Sequence, residues 1–154
     1  MSFCVCGDLA GLAANATRLE CVWEKVTGTI PAAIGALTHL RHLDLSENKL
    51  TGTVPPELGK LTLLTYLNLY RNKKLWGRIP ARLGNLGLLE NLRLSENRLG
   101  GHLHKALGKL TRLKNLDLSF NGLKGPITPA LGKLTMLEQL WLHSNRPSIV
   151  FAEH

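Results

Sequence analysis

Three side chains of the types found in hydrolytic triads alternate along one short segment: His42, Asp44 and Ser46. If this segment is a strand, side chains two residues apart lie about 6.5–7 Å from each other, too far for the direct hydrogen bonds of a triad. His102 and His104 alternate in the same way and could share a metal ion, but no third ligand lies nearby in the sequence. We therefore predict no enzymatic activity, no metal site and no cofactor.

The alternation of these residues follows from an internal repeat of 24 or 25 residues, with copies that start near residues 13, 37, 61, 86, 110 and 134. Each copy contains the pattern L-x-x-L-x-L, or a degenerate form of it, in which the last two leucines share one face of a short strand. No copy can bury its leucines alone, so the copies are expected to stack into a solenoid.

An asparagine follows each strand of the repeat, except in the first copy. Its amide both donates and accepts hydrogen bonds, so a buried asparagine can tie the turning backbone to the neighbouring coil. We expect the loss of one such residue to cost about 1–3 kcal/mol, because it leaves buried backbone groups unpaired. The predicted asparagine ladder comprises Asn48, Asn72, Asn97, Asn121 and Asn145.

The segments LDLSENKLTGTVPPELGKL, LRLSENRLGG and LDLSFNGLKGPI resemble the leucine-rich repeat family in its plant-type class, which includes receptor-kinase ectodomains and polygalacturonase-inhibiting proteins. The resemblance implies an α/β repeat solenoid, a right-handed superhelix of about six coils with a parallel concave sheet and a second, shorter strand in each coil. We expect an N-terminal cap over residues 1–16 with a short helix, repeats over 17–145, and an incomplete C-terminal cap over 146–154.

The chain has three cysteines, Cys4, Cys6 and Cys21, and no apolar run long enough to span a membrane. Three thiols cannot all pair within one chain, and Cys21 takes a buried leucine position, where a free thiol acts as a small hydrophobic side chain. The first residues lack the pattern of a cleavable signal. We therefore favour an intracellular location for the chain as given, and an extracellular one if it is a fragment of a secreted or receptor protein.

Residues beside the strand leucines point outward and form the columns of the predicted concave face. Five of the eight aromatic residues fall in these columns, where they are candidate anchors for a protein or peptide partner. The aspartates among them are expected to select the charge of that partner. The predicted partner-binding residues are Arg41, His42, Asp44, Tyr66, Asn68, Tyr70, Arg71, Arg93, Asp117, Phe120, Trp141 and His143.

The net charge of +8 is unevenly distributed over the predicted surfaces. The concave columns hold five basic and seven acidic residues, a sum of −2, whereas the rest of the chain holds fourteen basic and four acidic residues, a sum of +10. Part of this excess follows the asparagine positions and forms a basic edge that comprises Lys25, Lys49, Lys73, Lys74, Arg98 and Arg146.

Two alternatives to a concave protein-binding face remain open. The basic edge could bind an anionic glycan or surface, although nucleic acid is not expected because the aromatic residues lie mostly on the other face. The chain could also be a structural subunit of a larger assembly. We expect its C-terminal edge to contact another chain, because the last coil lacks a full cover.

Overall fold

The structure is a computed structural model that describes residues 15–146. In this range the chain winds into stacked coils that carry two parallel sheets. The first sheet consists of β1 (Arg18–Glu20), β3 (His42–Asp44), β5 (Tyr66–Asn68), β7 (Asn91–Arg93), β9 (Asn115–Asp117) and β11 (Gln139–Trp141). The second sheet consists of β2 (Thr27–Thr29), β4 (Lys49–Thr53), β6 (Lys74–Arg78), β8 (Arg98–Gly101) and β10 (Gly122–Leu123). The predicted repeat solenoid is confirmed.

The six strands of the first sheet, which forms the concave face, pair in register with the repeat. Leu43 pairs with Leu67, for example, and Leu67 pairs with Leu92. These middle leucines point into a continuous aliphatic core, and all of them from β1 to β9 are buried. The burial of these leucines ends at the C-terminal edge, where Leu140 of β11 is 43% exposed whereas Leu116 of β9 is 0% exposed.

The second sheet pairs with a different register. Thr51 pairs with Lys74, and Trp76 pairs with Arg98, so each strand is displaced by two residues relative to its equivalent in the next coil. A tight turn permits the close approach of these strands at Gly52, whose φ of +78° suits glycine and whose added Cβ would lie 2.9 Å from Cγ2 of Thr29. Equivalent residues of successive coils are therefore diagonal neighbours in this sheet.

Short 3₁₀ helices complete the coils on the side away from the concave face, and no α-helix occurs within residues 15–146. Their close stacking requires glycine, since a Cβ at Gly59 would lie 2.3 Å from the carbonyl oxygen of Arg82. The 3₁₀ helices span Ala32–Ala36, Pro56–Lys60, Ala81–Asn85, Lys105–Lys109 and Pro129–Lys133. The predicted N-terminal capping helix and the incomplete C-terminal cap fall almost wholly outside the described residues.

Each ladder asparagine joins two coils at the turn between the sheets. Asn72, which is fully buried, donates from Nδ2 to the carbonyl oxygens of Leu45 and Leu69 and accepts from the amide of Leu50. Asn97 in turn accepts from the amide of Asn72. These amides satisfy backbone groups that lie inside the solenoid, where water cannot reach them.

Cys21 does occupy a leucine position and is fully buried, but it is disulfide-bonded. The expectation of a free thiol at this position is therefore wrong. The reason is tertiary, because residue types and their spacing do not fix which sulfur atoms come within bonding distance.

Candidate functional site

The candidate functional site lies on the concave sheet, where register sets the neighbours of every outward side chain. Tyr66 of β5 pairs with His42 of β3 on one side and with Asn91 of β7 on the other. Neighbouring strands lie about 4.8 Å apart, so outward side chains of adjacent coils contact each other directly. The outward side chains of the concave sheet therefore form rows of contacts that run across its strands.

Asp44 and Asn68 lie beneath the N-terminal half of this face. Asp44 is 7% exposed, and its carboxylate accepts hydrogen bonds from the Ser46 amide at 2.9 Å and from the Ser46 hydroxyl at 2.6 Å. It also accepts from Nδ2 of Asn68 at 3.0 Å. Burial leaves both side chains little surface, and their hydrogen bonds hold neighbouring side chains in place. The selection of a partner's charge by Asp44 stays a prediction.

His42 and Tyr66 stack above that network, with ring centroids 4.3 Å apart and an angle of 2° between the rings. Nε2 of His42 is buried and has no hydrogen-bond partner among residues 15–146. Burial, followed by the nearby Arg18, lowers the pKa of His42 below its ordinary 6.5, although Glu20 and Asp44 act in the opposite direction. The imidazole is therefore neutral at pH 7.

A second cluster surrounds Tyr70. Its hydroxyl donates to Oε1 of Glu96 at 2.9 Å, and this hydrogen bond raises the pKa of Tyr70 above its ordinary 10.0. The Arg93 guanidinium lies over the Tyr70 ring, 5.4 Å from its centroid. Arg71 forms ion pairs with Glu47 at 3.2 Å and with Glu96 at 3.7 Å. These side chains are therefore already ordered by one another.

An open groove of about 480 Å³ crosses the C-terminal half of the concave face. Asp117 lies in its wall and accepts hydrogen bonds from the Ser119 hydroxyl at 2.7 Å and the Ser95 hydroxyl at 2.6 Å. Trp141 is 38% exposed, which leaves part of the indole available to a partner. The groove is lined by Tyr66, Asn91, Arg93, Asn115, Asp117, Ser119, Gln139, Trp141 and His143.

The structure brings together part of the predicted partner-binding set. Phe120 adjoins the groove through an edge-to-face contact with His143, with ring centroids 5.1 Å apart. Tyr70 and Arg71 do not line the groove but form the neighbouring cluster, and Arg41 is exposed outside both. The predicted residues that do line the groove are Tyr66, Arg93, Asp117, Trp141 and His143.

Four polar residues that line the groove are not among the predicted partner-binding residues. Asn115 donates to Oδ1 of Asn91 at 2.6 Å, so amides from adjacent strands form one short row. Ser119 and Gln139 also line the groove. All four lie in the same outward columns as the predicted residues, so their position in the repeat could have identified them. They were left out because the prediction chose mainly aromatic and charged residues from these columns.

Part of the basic edge lines a second groove, of about 500 Å³, on the turns that follow the concave strands. Glu47, Asn48 and Arg71 line it together with Trp23, and Arg98 and Arg146 lie outside its lining. The basic-edge residues that converge on it are Lys25, Lys49, Lys73 and Lys74.

Residues 15–146, the described part of the chain, contain neither a cluster of metal ligands nor a helix that could span a membrane. No three His, Cys, Asp or Glu side chains come together there as ligands for a metal ion. Nδ1 of His104 accepts a hydrogen bond from the Ala106 amide at 3.0 Å, so it serves the start of a 3₁₀ helix. No helix of this part of the chain has the length and apolar character needed to cross a bilayer.

The model of a family described as leucine-rich repeat region matches residues 19–153. No curated protein matches the chain by sequence. Among solved structures, the ectodomain of the receptor kinase SOBIR1 from Arabidopsis thaliana is 35% identical with a TM-score of 0.79, and the match covers 84% of this chain and 71% of that one.

Two longer receptor ectodomains from Arabidopsis thaliana are also similar. GASSHO1/SCHENGEN3, in complex with CASPARIAN STRIP INTEGRITY FACTOR 2, is 37% identical with a TM-score of 0.77 over 79% of this chain. HAESA, in complex with an extended IDA peptide hormone, is 37% identical with a TM-score of 0.72 over 77% of this chain. The matched region spans only 14% and 20% of these two ectodomains.

Proposed function

This chain belongs to the leucine-rich repeat family, in its plant-type class, and from this premise we propose that it is a non-enzymatic module that binds a protein or peptide on its concave sheet. The observation that carries the proposal is the open groove between Tyr66 and Trp141. Aromatic side chains at the rim of an ordered polar groove are typical anchors for a partner.

The groove is ordered before any partner arrives, which supports this function. Its polar wall is fixed by the hydrogen bonds of Asp117 to Ser95 and Ser119, and of Asn115 to Asn91. A partner would therefore find donors and acceptors already in place, and the entropy lost on binding would be small. Arg93 is exposed at the groove and offers a positive charge to a carboxylate of the partner.

Similar structures support the class of partner. HAESA is in complex with a peptide hormone, and the matched part of its ectodomain shares 37% identity with this chain. Because the chain spans only a fifth of that ectodomain, the identity of a ligand does not transfer from it. We propose peptide or protein recognition in general, with a contact surface limited to the groove and the adjoining Tyr70 cluster.

The experiment that tests this function compares two exposed tryptophans on different sheets. A displayed peptide library is selected on the wild-type chain, and the enriched peptides are measured against Trp141→Ala and Trp76→Ala. We expect Trp141→Ala to weaken binding at least about tenfold, as the truncation of an interface anchor does, and Trp76→Ala to leave it unchanged. Equal losses in both variants, or no enrichment at all, would contradict the concave site.

An oxidising, extracellular compartment fits the chain better than the intracellular one favoured by its sequence. Cys21 is disulfide-bonded, and such bonds persist mainly outside the cytosol. The similar structures are receptor ectodomains. Expression in a secretory host should give a chain in which Cys21 resists alkylation until a reductant is added, and alkylation without reductant would contradict this location.

The C-terminal edge is proposed as a contact with another chain or with a further coil. Met136 is 48% exposed and Leu140 is 43% exposed there, although the equivalents of Leu140 in other coils are buried. Light scattering at rising protein concentration tests the contact. Association that is lost in Leu140→Glu supports it, and a monomer at every concentration contradicts contact between copies.

A further inference from the structure

The second sheet turns an exposed tryptophan outward among basic side chains. Trp76 of β6 is 57% exposed. Register places Thr53 and Arg98 directly across from it on the two neighbouring strands, and Lys74 and Arg78 lie two residues away on its own strand. Since these separations are about 4.8 Å across strands and about 6.5–7 Å along one, basic side chains surround the indole on three sides.

The face that carries Trp76 has one sign of charge. The described strands of the second sheet contain no aspartate or glutamate, and their charged residues are Lys49, Lys74, Arg78 and Arg98. None of the ion pairs formed within residues 15–146 involves a residue of these strands. The stem of Arg78 lies against Gly101, where an added Cβ would come within 3.0 Å of its Cγ. This arginine is therefore held flat on the sheet.

The same face continues into the groove of the basic edge. Lys49 and Lys74 belong to the second sheet and also line that groove, which holds Lys25 and Lys73 as well. Trp23 lines the groove too and is 76% exposed. One continuous surface thus presents two exposed indoles with lysines between them, and Glu47 of its lining is already paired with Arg71.

We propose that this surface, from Trp23 to Trp76, binds an acidic polysaccharide built of uronate units. The flat face of an indole packs against the C–H face of a sugar ring, while its N–H and nearby threonine hydroxyls can bond to sugar hydroxyls. Lysine and arginine side chains pair with carboxylates through charge-assisted hydrogen bonds. A linear polymer with a carboxylate on every ring matches basic residues that recur in four successive coils, at Lys25, Lys49, Lys74 and Arg98.

Other polyanions match these observations less well. Single-stranded nucleic acid stacks successive bases on neighbouring aromatic side chains, but here Trp23 and Trp76 are separated by the lysines of the groove. An anionic membrane surface favours a helix with a broad apolar face, whereas this surface is a sheet edge and face with hydroxyl and basic side chains. A uronate polymer, by contrast, can pack its sugar rings on the indoles and pair its carboxylates with the basic side chains.

Binding of polygalacturonate to the full chain, followed by isothermal titration calorimetry, tests the proposal. The fully methyl-esterified polymer controls for charge, and single-stranded DNA of equal charge controls for polyanion binding in general. We expect Trp76→Ala to weaken binding of polygalacturonate about tenfold, and Lys74→Gln with Arg98→Gln to weaken it further and flatten its salt dependence. The esterified polymer and the DNA should bind at least about tenfold more weakly than polygalacturonate.

A matched double variant separates a site from general attraction to a basic protein. Lys60→Gln with Lys109→Gln removes the same charge from two 3₁₀ helices on another side of the solenoid and should leave binding unchanged. Equal weakening by both double variants, or tight binding of DNA that is insensitive to Trp76→Ala, would overturn the proposal. Trp141→Ala should leave uronate binding intact, so failure here and failure of the concave site are distinguishable. Circular dichroism confirms that each variant is folded.

Discussion

The concave sheet and the second sheet cover the same leucine core but differ in how far their polar side chains bond to one another. On the concave sheet, carboxylates are bound by neighbours, as Asp44 is by Ser46 and Asn68. On the second sheet, Lys74 and Arg98 form none of the ion pairs found in residues 15–146. The concave sheet carries a network of hydrogen-bonded polar side chains, whereas the second sheet carries a row of solvated basic side chains.

This contrast determines which substitutions affect binding without affecting stability. A concave side chain that holds its neighbours contributes to stability as well as to the shape of the groove, so its loss has two effects. An exposed basic side chain on the second sheet contributes little to stability, and its loss should act on a ligand only. Four predictions follow from this contrast, in order of decreasing effect.

The largest effect should be the same on both sheets, because the leucines beneath them belong to one core. Leu67 of the concave sheet and Leu75 of the second sheet are each fully buried. We expect Leu67→Ala and Leu75→Ala to lower the free energy of unfolding by about 2–5 kcal/mol each, measured by urea denaturation. Leu140→Ala, at the exposed edge, should cost less than about 1 kcal/mol. A mild effect of Leu75→Ala alone would show that the second sheet is loosely attached.

The ladder between the two sheets should give the next largest effect. Asn72→Ala leaves the buried Leu50 amide without its acceptor and removes one of the two asparagine donors to the carbonyl oxygens of Leu45 and Leu69. We therefore expect a loss of about 1–3 kcal/mol in unfolding free energy. Asn145 makes equivalent bonds but is only partly buried, and Asn145→Ala should cost less. If the order were reversed, burial would not set the strength of the ladder.

A direct comparison of the two surfaces uses one charged residue from each. Asp44→Ala removes a buried acceptor of four hydrogen bonds, and we expect a loss of about 1–2 kcal/mol. Lys74→Ala on the second sheet should change the free energy of unfolding by no more than about 0.5 kcal/mol. Equal losses of unfolding free energy for the two variants, measured by chemical denaturation, would contradict the proposed difference between the two sheets.

The smallest effect concerns pH and should appear on the concave sheet only. The pKa of His42 is lowered by burial and by Arg18, so the folded state favours the neutral ring. As pH falls below the ordinary value of 6.5, the unfolded chain binds the proton first, and stability should decrease. His42→Gln should reduce this slope, whereas Lys74→Gln should not. The slope is measured by thermal unfolding between about pH 7 and pH 5, the usual range of imidazole titration.

Much of the fold could be predicted because the repeat fixes it locally. The alternation around Leu43 and Leu45 gives a strand with two leucines inward, and the recurrence of that pattern requires coils to stack. The 3₁₀ helices that follow the prolines of the repeat were not predicted, because the leucine pattern specifies the strands only. These helices stack closely around glycines such as Gly59.

The candidate site could be predicted in outline. Column position correctly brought Tyr66, Arg93 and Trp141 to one groove, because the concave sheet keeps the period of the repeat. It did not reveal that Asp44 is buried, since an outward position in a strand does not tell how far neighbouring side chains cover it. The role of these residues in binding stays a prediction.

The solenoid, the leucine core, the position of the asparagines and the unequal distribution of charge could all be predicted from the amino-acid sequence, because they depend on a period that the copies repeat. The disulfide bond of Cys21 and the stagger of the second sheet became evident from the folded structure alone. That stagger brings Arg98 beside Trp76, whereas the repeat alone would align Trp76 with Gly100. Hydrogen-bond register and sulfur contacts depend on how coils meet in space, and the period of one chain does not specify either.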